Sequence, residues 1–195
     1  MKILFLHGFA SSGAYKMASS LRILVKGSEV IAPDLPMEPS EAFELIEGIC
    51  LREQPDLVVG LSMGGFWAQK LRGYRKILVN PDFHFSRFLR TTVGTNDYLS
   101  PRLEGASSFI VTDSMCDGFA ALETEQFSCL DTWEIGLTTG LFADHDELVD
   151  CSSEFLAHYP GRLRRYPGGH LPNYPQLKQY LLPVICNEVP DQPVH

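Results

Sequence analysis

The sequence predicts an α/β fold, with a mostly parallel sheet, helices on both faces and a lid-like insertion. Short apolar runs, among them Lys2 to Leu6, Leu57 to Val59 and Lys76 to Val79, alternate with longer stretches of helical periodicity. That alternation favours parallel strands joined by crossover helices. With 195 residues and 45% apolar composition, the chain suits a single domain, residues 1–195, with a full hydrophobic core.

The charge and the cysteines restrict the partners and the compartment. A formal net charge of −8 argues against nucleic acid or an anionic membrane as the main partner, and no stretch is long enough to span a bilayer. The apolar run from Met1 to Leu6 is too short for a secretory signal. The cysteines are odd in number and form no C-x-x-C pair: Cys50, Cys116, Cys129, Cys151 and Cys186. This pattern predicts reduced thiols in a cytoplasmic protein, without disulfides or a zinc site.

The first part of the chain gives two strands and two helices. The predicted elements are the strands Lys2 to Leu6 and Val30 to Ala32, a helix of about Ala14 to Leu24, and a helix that ends at about Glu53. Ser12 and Ser40 are the predicted N-caps of the two helices. Pro33 and Pro36 stop the second strand, because proline cannot donate a hydrogen bond to a sheet.

The stretch Gly60-Leu61-Ser62-Met63-Gly64 fits the G-x-S-x-G pattern of a nucleophile elbow. A β-branched run precedes it, and a helix-forming run closed by Gly73 follows it, so the strand–turn–helix context of the motif is present. Glycine at positions 60 and 64 allows the strand and the helix to approach closely. The context predicts Ser62 as a nucleophile and the Met63 amide as an oxyanion donor. A glycine-rich turn with an incidental serine is the alternative.

A second oxyanion donor is expected after the first strand. That strand opens directly onto His7-Gly8, which is where hydrolases with an elbow serine place the other donor. The amide of Phe9 is the candidate. A plain strand-to-helix loop is the alternative, and the two interpretations are compatible.

Residues from Pro81 to about Gly136 interrupt the alternation and are too many for an ordinary connection. They hold an unusual share of the large apolar side chains: Phe83, Phe85, Phe88, Leu89, Tyr98, Phe109, Phe119, Phe127 and Trp133. An insertion after the strand that follows an elbow lies over the serine, so 81–136 is predicted to form a lid. Most of these side chains are expected to form a core private to the insertion, and a minority to line an acyl pocket.

After the insertion the alternation of strands and helices resumes. The predicted elements are the strand Leu137 to Phe142, a helix to about His158, the strand Arg162 to Tyr166 and a last helix of about Pro175 to Glu188. Pro183 predicts a kink or a break in that last helix. Residues 187–195 are predicted to form a flexible tail.

The base and the acid of a catalytic triad are sought by their order along the chain. A serine hydroxyl needs a base to take its proton, and with an elbow serine the order is serine, carboxylate, histidine. That order favours His170, which lies on a glycine-rich turn directly after the last strand. Asp144 and Asp146 both follow the preceding strand, and either could accept the ring N–H. Asp146 could instead only cap the next helix, and Asp144 could be a solvated turn residue. This chemistry requires no metal and no cofactor.

Several stretches together resemble the small bacterial YqiA-type esterases, which are minimal members of the α/β-hydrolase superfamily. They are Met1 to Phe9 with Ser11-Ser12, Ala32 to Pro36, the elbow, Asn80-Pro81, and the late Asp and Gly-Gly-His segments. The similarity spans nearly the whole chain, with a loose match in the insertion. It implies a shortened α/β-hydrolase fold and esterase or thioesterase activity on acyl substrates. Such hydrolases often show Gly-x-x-Asp at the acid loop; Ala143 occupies the glycine position here, which puts the acid on Asp146 and keeps Asp144 as the runner-up.

The sequence therefore predicts a serine hydrolase that cleaves a carboxylic ester or an acyl thioester, with Ser62, Asp146 and His170 as its triad. A peptidase, a lactone or carbon–carbon bond hydrolase and an acyltransferase could use the same triad, and a non-catalytic binding module could keep the fold.

Three arginines of the insertion could meet the phosphates of a coenzyme A ester: Arg87, Arg90 and Arg102. A solvated charged face is the more general expectation for them.

Overall fold

The computed structural model describes residues 1–189, which contain a six-stranded sheet and a separate hairpin. The strands are β1 (Lys2–Leu6), β2 (Glu29–Ile31), β3 (Leu57–Leu61), β4 (Lys76–Val79), β5 (Gly94–Asp97), β6 (Ser108–Val111), β7 (Thr138–Ala143) and β8 (Leu163–Tyr166). The sheet order is β2-β1-β3-β4-β7-β8, with all neighbours parallel, while β5 and β6 pair antiparallel outside it. The predicted parallel α/β arrangement is confirmed.

Helices cover both faces of this sheet. They are α1 (Lys16–Leu24), α2 (Pro39–Glu53), α3 (Met63–Lys70), α4 (Phe85–Leu89), α5 (Asp113–Thr124), α6 (Thr132–Leu137), α7 (Ser152–His158), α8 (Tyr174–Gln176) and α9 (Leu182–Glu188). A 3-10 turn, Arg90–Thr92, follows α4, and a π turn, Leu177–Leu181, joins α8 to α9. Within the described part of the chain, no helix is long and apolar enough to cross a membrane.

The two faces of the sheet are buried in two apolar clusters, because alternate side chains of a strand point to opposite faces. Leu4, Leu6, Val58, Leu78 and Phe142 share one cluster with residues of α2, α3, α5 and α7. Ile3, Phe5, Val59, Ile77 and Leu141 share the other with residues of α1, the π turn and α9. This burial on both sides explains why the central strands read as continuous apolar runs.

Two predicted helix starts are wrong. The first helix begins at Lys16 with Tyr15 as its N-cap, because the hydroxyl of the fully buried Ser12 instead accepts a hydrogen bond from the Ala14 amide at 3.3 Å. The second helix begins at Pro39, one residue before the predicted cap Ser40. Proline suits the first helical position, since the N–H that it lacks would have no acceptor there.

The second half of the chain departs from prediction at three helices. Leu137 ends α6 instead of opening β7, and α7 begins only at Ser152. Before Pro183 the predicted kink takes the form of the π turn, which is a local widening of a helix that otherwise continues. Asn187 and Glu188 complete α9, and the rest of the predicted tail, from residue 190 onwards, lies outside the described residues.

The insertion shares the core of the sheet, so the expectation of a mostly private core is wrong. Phe83, Phe85 and Phe119 belong to the same buried cluster as the sheet residues Leu4 and Leu78. The ring centroids of Phe85 and Phe119 lie 4.8 Å apart in an edge-to-face arrangement. The insertion is therefore packed onto the body of the protein by buried aromatic contacts.

Candidate active site

A cavity of about 520 Å³ lies at the carboxyl ends of the sheet strands. Its lining comes mainly from the segments after five strands of the six-stranded sheet and includes Phe9, Ser62, Asp82, Phe88, Val149 and His170. In open parallel sheets, ligands bind in the crevice outside the carboxyl ends of the strands. The sequence-predicted site residues Phe9, Ser62 and His170 are thus brought to one cavity.

Ser62 occupies a strained backbone conformation between β3 and α3, with φ 56° and ψ −119°. Such a conformation costs on the order of 1–3 kcal/mol and persists only where the surrounding structure enforces it. Here close packing enforces it: a Cβ on Gly60 would collide with the Gly64 backbone, and a Cβ on Gly64 would collide with the carbonyls of Leu6 and His7. The glycines of the motif therefore allow the sharp turn that presents Ser62.

His170 is hydrogen-bonded to Asp146, with 2.7 Å between Nδ1 and Oδ2. The other carboxylate oxygen accepts the amides of Leu148 and Val149, each at 2.9 Å. Burial alone would raise the pKa of Asp146, but the hydrogen bonds from His170 and the two amides hold that pKa below its ordinary value. The ionised carboxylate can therefore orient the imidazole.

Asp144, the other candidate acid, is exposed and makes a different contact. Its backbone amide donates to the carbonyl of Tyr166 at 2.9 Å, and the Nδ1 atom of His170 faces Asp146 instead. Of the two aspartates, the structure brings Asp146 to the histidine.

Ser62 and His170 line the same cavity, and the Nδ1 contact with Asp146 leaves Nε2 of His170 as the ring nitrogen free to act on the serine. Within residues 1–189, no hydrogen bond of 3.5 Å or less joins the Ser62 hydroxyl to His170. Such bonds are often long in unliganded sites and shorten when substrate binds.

The sequence predicts two backbone amides, those of Phe9 and Met63, as oxyanion donors. Met63 is the first residue of α3, where an N–H group has no acceptor within its own helix. The amide of Phe9 belongs to the same planar peptide as the Gly8 carbonyl, which accepts the His7 ring at 2.8 Å and the Ser11 amide at 3.3 Å. Since N–H and C=O of a trans peptide point in opposite directions, these bonds fix the direction of the Phe9 amide.

His7 holds this loop as a neutral ring. Burial lowers the pKa of His7 to about 4. Nε2 accepts the Leu35 amide at 2.9 Å, so Nδ1 carries the proton that is donated to Gly8. The sequence analysis names His7 only at the opening of this loop and does not find this role.

Asn80 ties three strand ends together, and its contribution was also missed. Its backbone is left-handed, with φ 42°. Oδ1 accepts the Ala143 amide at 2.7 Å, while Nδ2 donates to the Tyr166 hydroxyl at 2.8 Å and to the His170 carbonyl at 2.7 Å. A polar residue directly after a buried strand is the sequence signal that could have found this role.

Asp82 lines the cavity with a carboxyl group that sequence reasoning did not consider. Its side chain accepts the His84 amide at 3.0 Å, and burial raises the pKa of Asp82. His84 also lines the cavity, and its Nε2 atom lies 2.7 Å from Glu154. The start of the insertion therefore lines the cavity with both polar side chains, Asp82 and His84, and apolar ones, Phe85 and Phe88.

The three arginines of the insertion do not form one surface. Arg102 is buried and donates to the carbonyls of Ser11 and Leu35, each at 3.1 Å, so the expectation of a solvated or phosphate-binding group is wrong for it. Arg90 pairs with Asp117 at 2.6 Å on the surface. Arg87 alone of the three lines the cavity.

In the described part of the chain, no group of three His, Cys, Asp or Glu could hold a metal ion.

Solved structures with this architecture define the class of the fold. A monoacylglycerol lipase from Paleococcus ferrophilus aligns with a TM-score of 0.65 and 11% identity over 95% of this chain and 92% of that one. The esterase domain of a Rhodothermus marinus protein aligns with a TM-score of 0.64 and 16% identity over 94% of this chain and 84% of that one. The fluorophosphonate-binding serine hydrolase FphF of Staphylococcus aureus aligns with a TM-score of 0.61 and 16% identity over 96% of this chain and 83% of that one. The chain thus has an α/β-hydrolase fold.

The sequence also identifies its family. Residues 2–117, more than half of the chain, match the family described as uncharacterised protein family UPF0227. The chain belongs to this family, which confirms the resemblance to YqiA-type proteins drawn from its motifs. The matched range contains Phe9, Ser62 and Met63, whereas Asp146 and His170 follow it.

Proposed function

We propose that this protein is a serine hydrolase that cleaves a carboxylic ester or an acyl thioester through an acyl-enzyme intermediate. The observation that carries the proposal is the single cavity lined by Ser62 and by His170, whose Nδ1 lies 2.7 Å from Asp146. This constellation supplies a nucleophile, a base and a group that orients the base.

In the first half-reaction, Ser62 Oγ attacks the acyl carbonyl while Nε2 of His170 takes the hydroxyl proton. Asp146 stabilises the resulting imidazolium through the Nδ1 hydrogen bond. The tetrahedral intermediate then collapses, the bond to the alcohol or thiol breaks, and the leaving group takes the proton back from His170. The acyl group stays on Ser62.

The second half-reaction releases the acid. Water gives a proton to His170 and attacks the acyl-enzyme, and the Ser62 oxygen leaves with that proton. In both steps the carbonyl oxygen becomes negatively charged, and the amides of Phe9 and Met63 are the proposed donors to it. Loss of one such donor typically raises the barrier by about 3–4 kcal/mol.

The cavity supports a substrate with an apolar acyl chain. Phe9, Phe85, Phe88 and Leu148 contribute large apolar surfaces to it. The similar structures include a monoacylglycerol lipase and an esterase domain, which supports ester hydrolysis over peptide cleavage.

The five free thiols support a reducing compartment such as the cytoplasm.

The test compares wild type with Ser62→Ala, Asp146→Asn and the matched control Asp144→Asn. Ser62→Ala should abolish both turnover of p-nitrophenyl butyrate and labelling by a fluorophosphonate probe. Asp146→Asn should lower kcat by about 10³ to 10⁴, because the ring loses its orienting acceptor, while Asp144→Asn stays near wild type. Labelling of the Ser62→Ala protein at the wild-type rate would refute the nucleophile, and equal losses in the two asparagine variants would refute the acid.

A further inference from the structure

Exposed apolar side chains are gathered at the opening of the cavity. A groove of about 550 Å³ adjoins the cavity and shares Tyr15, Leu61 and Leu171 with its lining. In residues 1–189, twelve large apolar side chains are exposed, and six of them line the cavity or the groove: Ile23, Phe88, Leu99, Leu148, Leu171 and Tyr174. We call these six residues the apolar rim. A residue that lines a depression and is also exposed lies at its mouth, so the apolar rim surrounds the entrance to Ser62.

The apolar rim is assembled from separate segments of the chain. Ile23 lies on α1, Phe88 on α4, and Leu99 between β5 and β6, whereas the other three residues follow β7 or β8. Single apolar residues scattered over a surface are ordinary, but a group of them around one opening marks a site of interaction. The segments meet only in the folded protein, so no local pattern in the sequence reveals this group.

The backbone beneath the apolar rim is fixed to the candidate active site. The amide of Leu99 donates to the Ala10 carbonyl at 2.7 Å. The amide of Leu148 donates to the carboxylate of Asp146 at 2.9 Å. Hydrogen bonds to the site therefore hold these two leucines in place, although 76% and 73% of their surface is exposed.

The opening does not share the acidity of the whole chain, whose formal net charge is −8. Among the described residues that line the cavity or the groove, the exposed charged ones are Lys16, Arg87 and Asp150. Lysine and arginine can lay their apolar stems along an apolar phase while their charged ends stay in water. Apolar side chains accompanied by such cations suit the boundary between lipid and water.

A lipid surface is the occupant that leaves the site usable. A second copy of this chain, or another protein, seated on the apolar rim would cover the entrance to Ser62. A lipid surface covers the same side chains and itself contains acyl esters. Because anionic lipids repel an acidic chain, the surface that fits is zwitterionic.

We propose that the apolar rim docks this protein on the surface of zwitterionic lipid, from which acyl esters enter the cavity. The choice of a lipid as the occupant rests on the proposed ester hydrolysis. Docking removes the exposed side chains of the apolar rim from water, and this supplies the driving force. The docking itself does not require the nucleophile.

The first test is sedimentation with phosphatidylcholine vesicles, comparing wild type with the double variant Leu99→Gln/Leu171→Gln. Wild type should sediment at about 1 mM lipid, a concentration at which a single buried acyl chain is mostly bound. The double variant should bind at least about tenfold more weakly, because two apolar side chains of the rim are lost. Both side chains are exposed, so the Tm should stay close to that of wild type.

Leu51→Gln/Leu156→Gln is the matched control. Leu51 and Leu156 are 73% and 49% exposed, against 76% and 55% for Leu99 and Leu171, and they line neither the cavity nor the groove. This control should sediment like wild type. The proposal is overturned if wild type stays in solution, if the control loses binding as much as the rim variant, or if wild type forms a dimer without lipid that only the rim variant dissociates.

The second test compares two esters at a lipid concentration that does not saturate binding. One is p-nitrophenyl laurate carried in the vesicles, and the other is dissolved p-nitrophenyl butyrate. The loss of rate in Leu99→Gln/Leu171→Gln should be at least about tenfold larger for the vesicle-borne ester. Equal losses on the two esters would overturn the proposal, because they would mean that Leu99 and Leu171 only help to bind one ester molecule.

Ser62→Ala separates the docking from the chemistry. This variant should sediment with the vesicles like wild type while its turnover is abolished. If Ser62→Ala keeps wild-type turnover, the proposed function fails. If Ser62→Ala is inactive and the wild-type protein does not sediment, only the docking fails.

Discussion

At the scale of single residues, His7 illustrates how burial selects one protonation state. Both ring nitrogens are hydrogen-bonded to backbone groups, one as a donor to Gly8 and one as an acceptor from Leu35. An imidazolium would have two donors and could not accept the Leu35 amide. Desolvation also disfavours the charged ring, which is why the pKa of His7 falls to about 4 from an ordinary value of 6.5. The loop that carries the Phe9 amide therefore depends on a neutral histidine.

His7 makes stability sensitive to mild acid. Between pH 6.5 and 4 the unfolded chain binds more protons at this position than the folded protein, so stability falls as the pH falls through that window. At about pH 4 the loss in the free energy of unfolding reaches about 3 kcal/mol. His7→Gln should have a flatter dependence of the free energy of unfolding on pH, measured in urea at pH 7, 6 and 5. The raised pKa of Asp82 has the opposite effect, since it increases the stability of the folded protein as the pH falls. This contribution is present in both wild type and His7→Gln.

Exposed His145→Gln serves as the control for this measurement and should keep the wild-type slope. A wild-type slope in His7→Gln as well would show that other groups cause the acid sensitivity.

At the scale of secondary-structure elements, the elbow depends on the close approach of β1, β3 and α3. The contact is between backbones, because Gly60 faces Gly64 and Gly64 faces the carbonyls at the end of β1. A side chain at either position would push the helix away from the sheet and rotate Ser62. The strained φ of Ser62 is thus enforced by contacts on both sides of the turn.

Gly64→Ala and Gly48→Ala form a matched pair on two helices. Gly64→Ala should reduce the free energy of unfolding by more than about 3 kcal/mol or prevent folding, since the new Cβ meets rigid backbone. Gly48 is exposed on α2 and a Cβ there meets nothing within 4 Å, so Gly48→Ala should stabilise the protein by about 0.5–1 kcal/mol. Urea unfolding measures both; a Gly64→Ala protein as stable as wild type would contradict the close-contact account.

At the scale of the whole molecule, the insertion is attached to the site through buried polar contacts as well as aromatic ones. Arg102, in the loop between β5 and β6, bonds the carbonyls of Ser11 and Leu35 and lies 4.5 Å from the ring of Tyr98. The amide of Leu99 donates to the Ala10 carbonyl at 2.7 Å. The loop of the hairpin therefore holds the loop after β1, and the geometry of the site depends on a segment some ninety residues away in the sequence.

Arg102→Met should uncouple the insertion from the site. The substitution leaves two buried carbonyls without a hydrogen-bond donor. It also removes the cation that lies 3.8 Å from Asp34 in the wild-type protein. We expect a loss of about 3 kcal/mol in the free energy of unfolding, together with a lower kcat for ester hydrolysis. Arg102→Lys keeps the charge but cannot reach both carbonyls with a planar fork, so it should recover only part of each loss. Full stability and full turnover in Arg102→Met would show that the hairpin does not support the site.

Much of the fold could be predicted because local patterns and the final environment agree. Lys2–Leu6 and Lys76–Val79 were predicted with the bounds that the structure has, since central parallel strands are apolar throughout. Helix ends were less predictable. Ser12 and Ser40 are good caps in isolation, but tertiary contacts recruit the Ser12 hydroxyl and Pro39 sets the start of α2.

The sequence by itself determined the parallel α/β architecture and the glycine-flanked turn around Ser62, because these follow from local periodicity and glycine spacing, and chain order predicts His170 as the base. It left Asp144 and Asp146 open on the residues alone, since both follow the same strand. Only the tertiary structure decided which carboxylate reaches His170, and only it revealed the roles of His7, Asn80 and Arg102. The reason is physical: hydrogen bonds between residues distant in the chain depend on how the loops meet at the sheet edge, and no local pattern encodes that meeting.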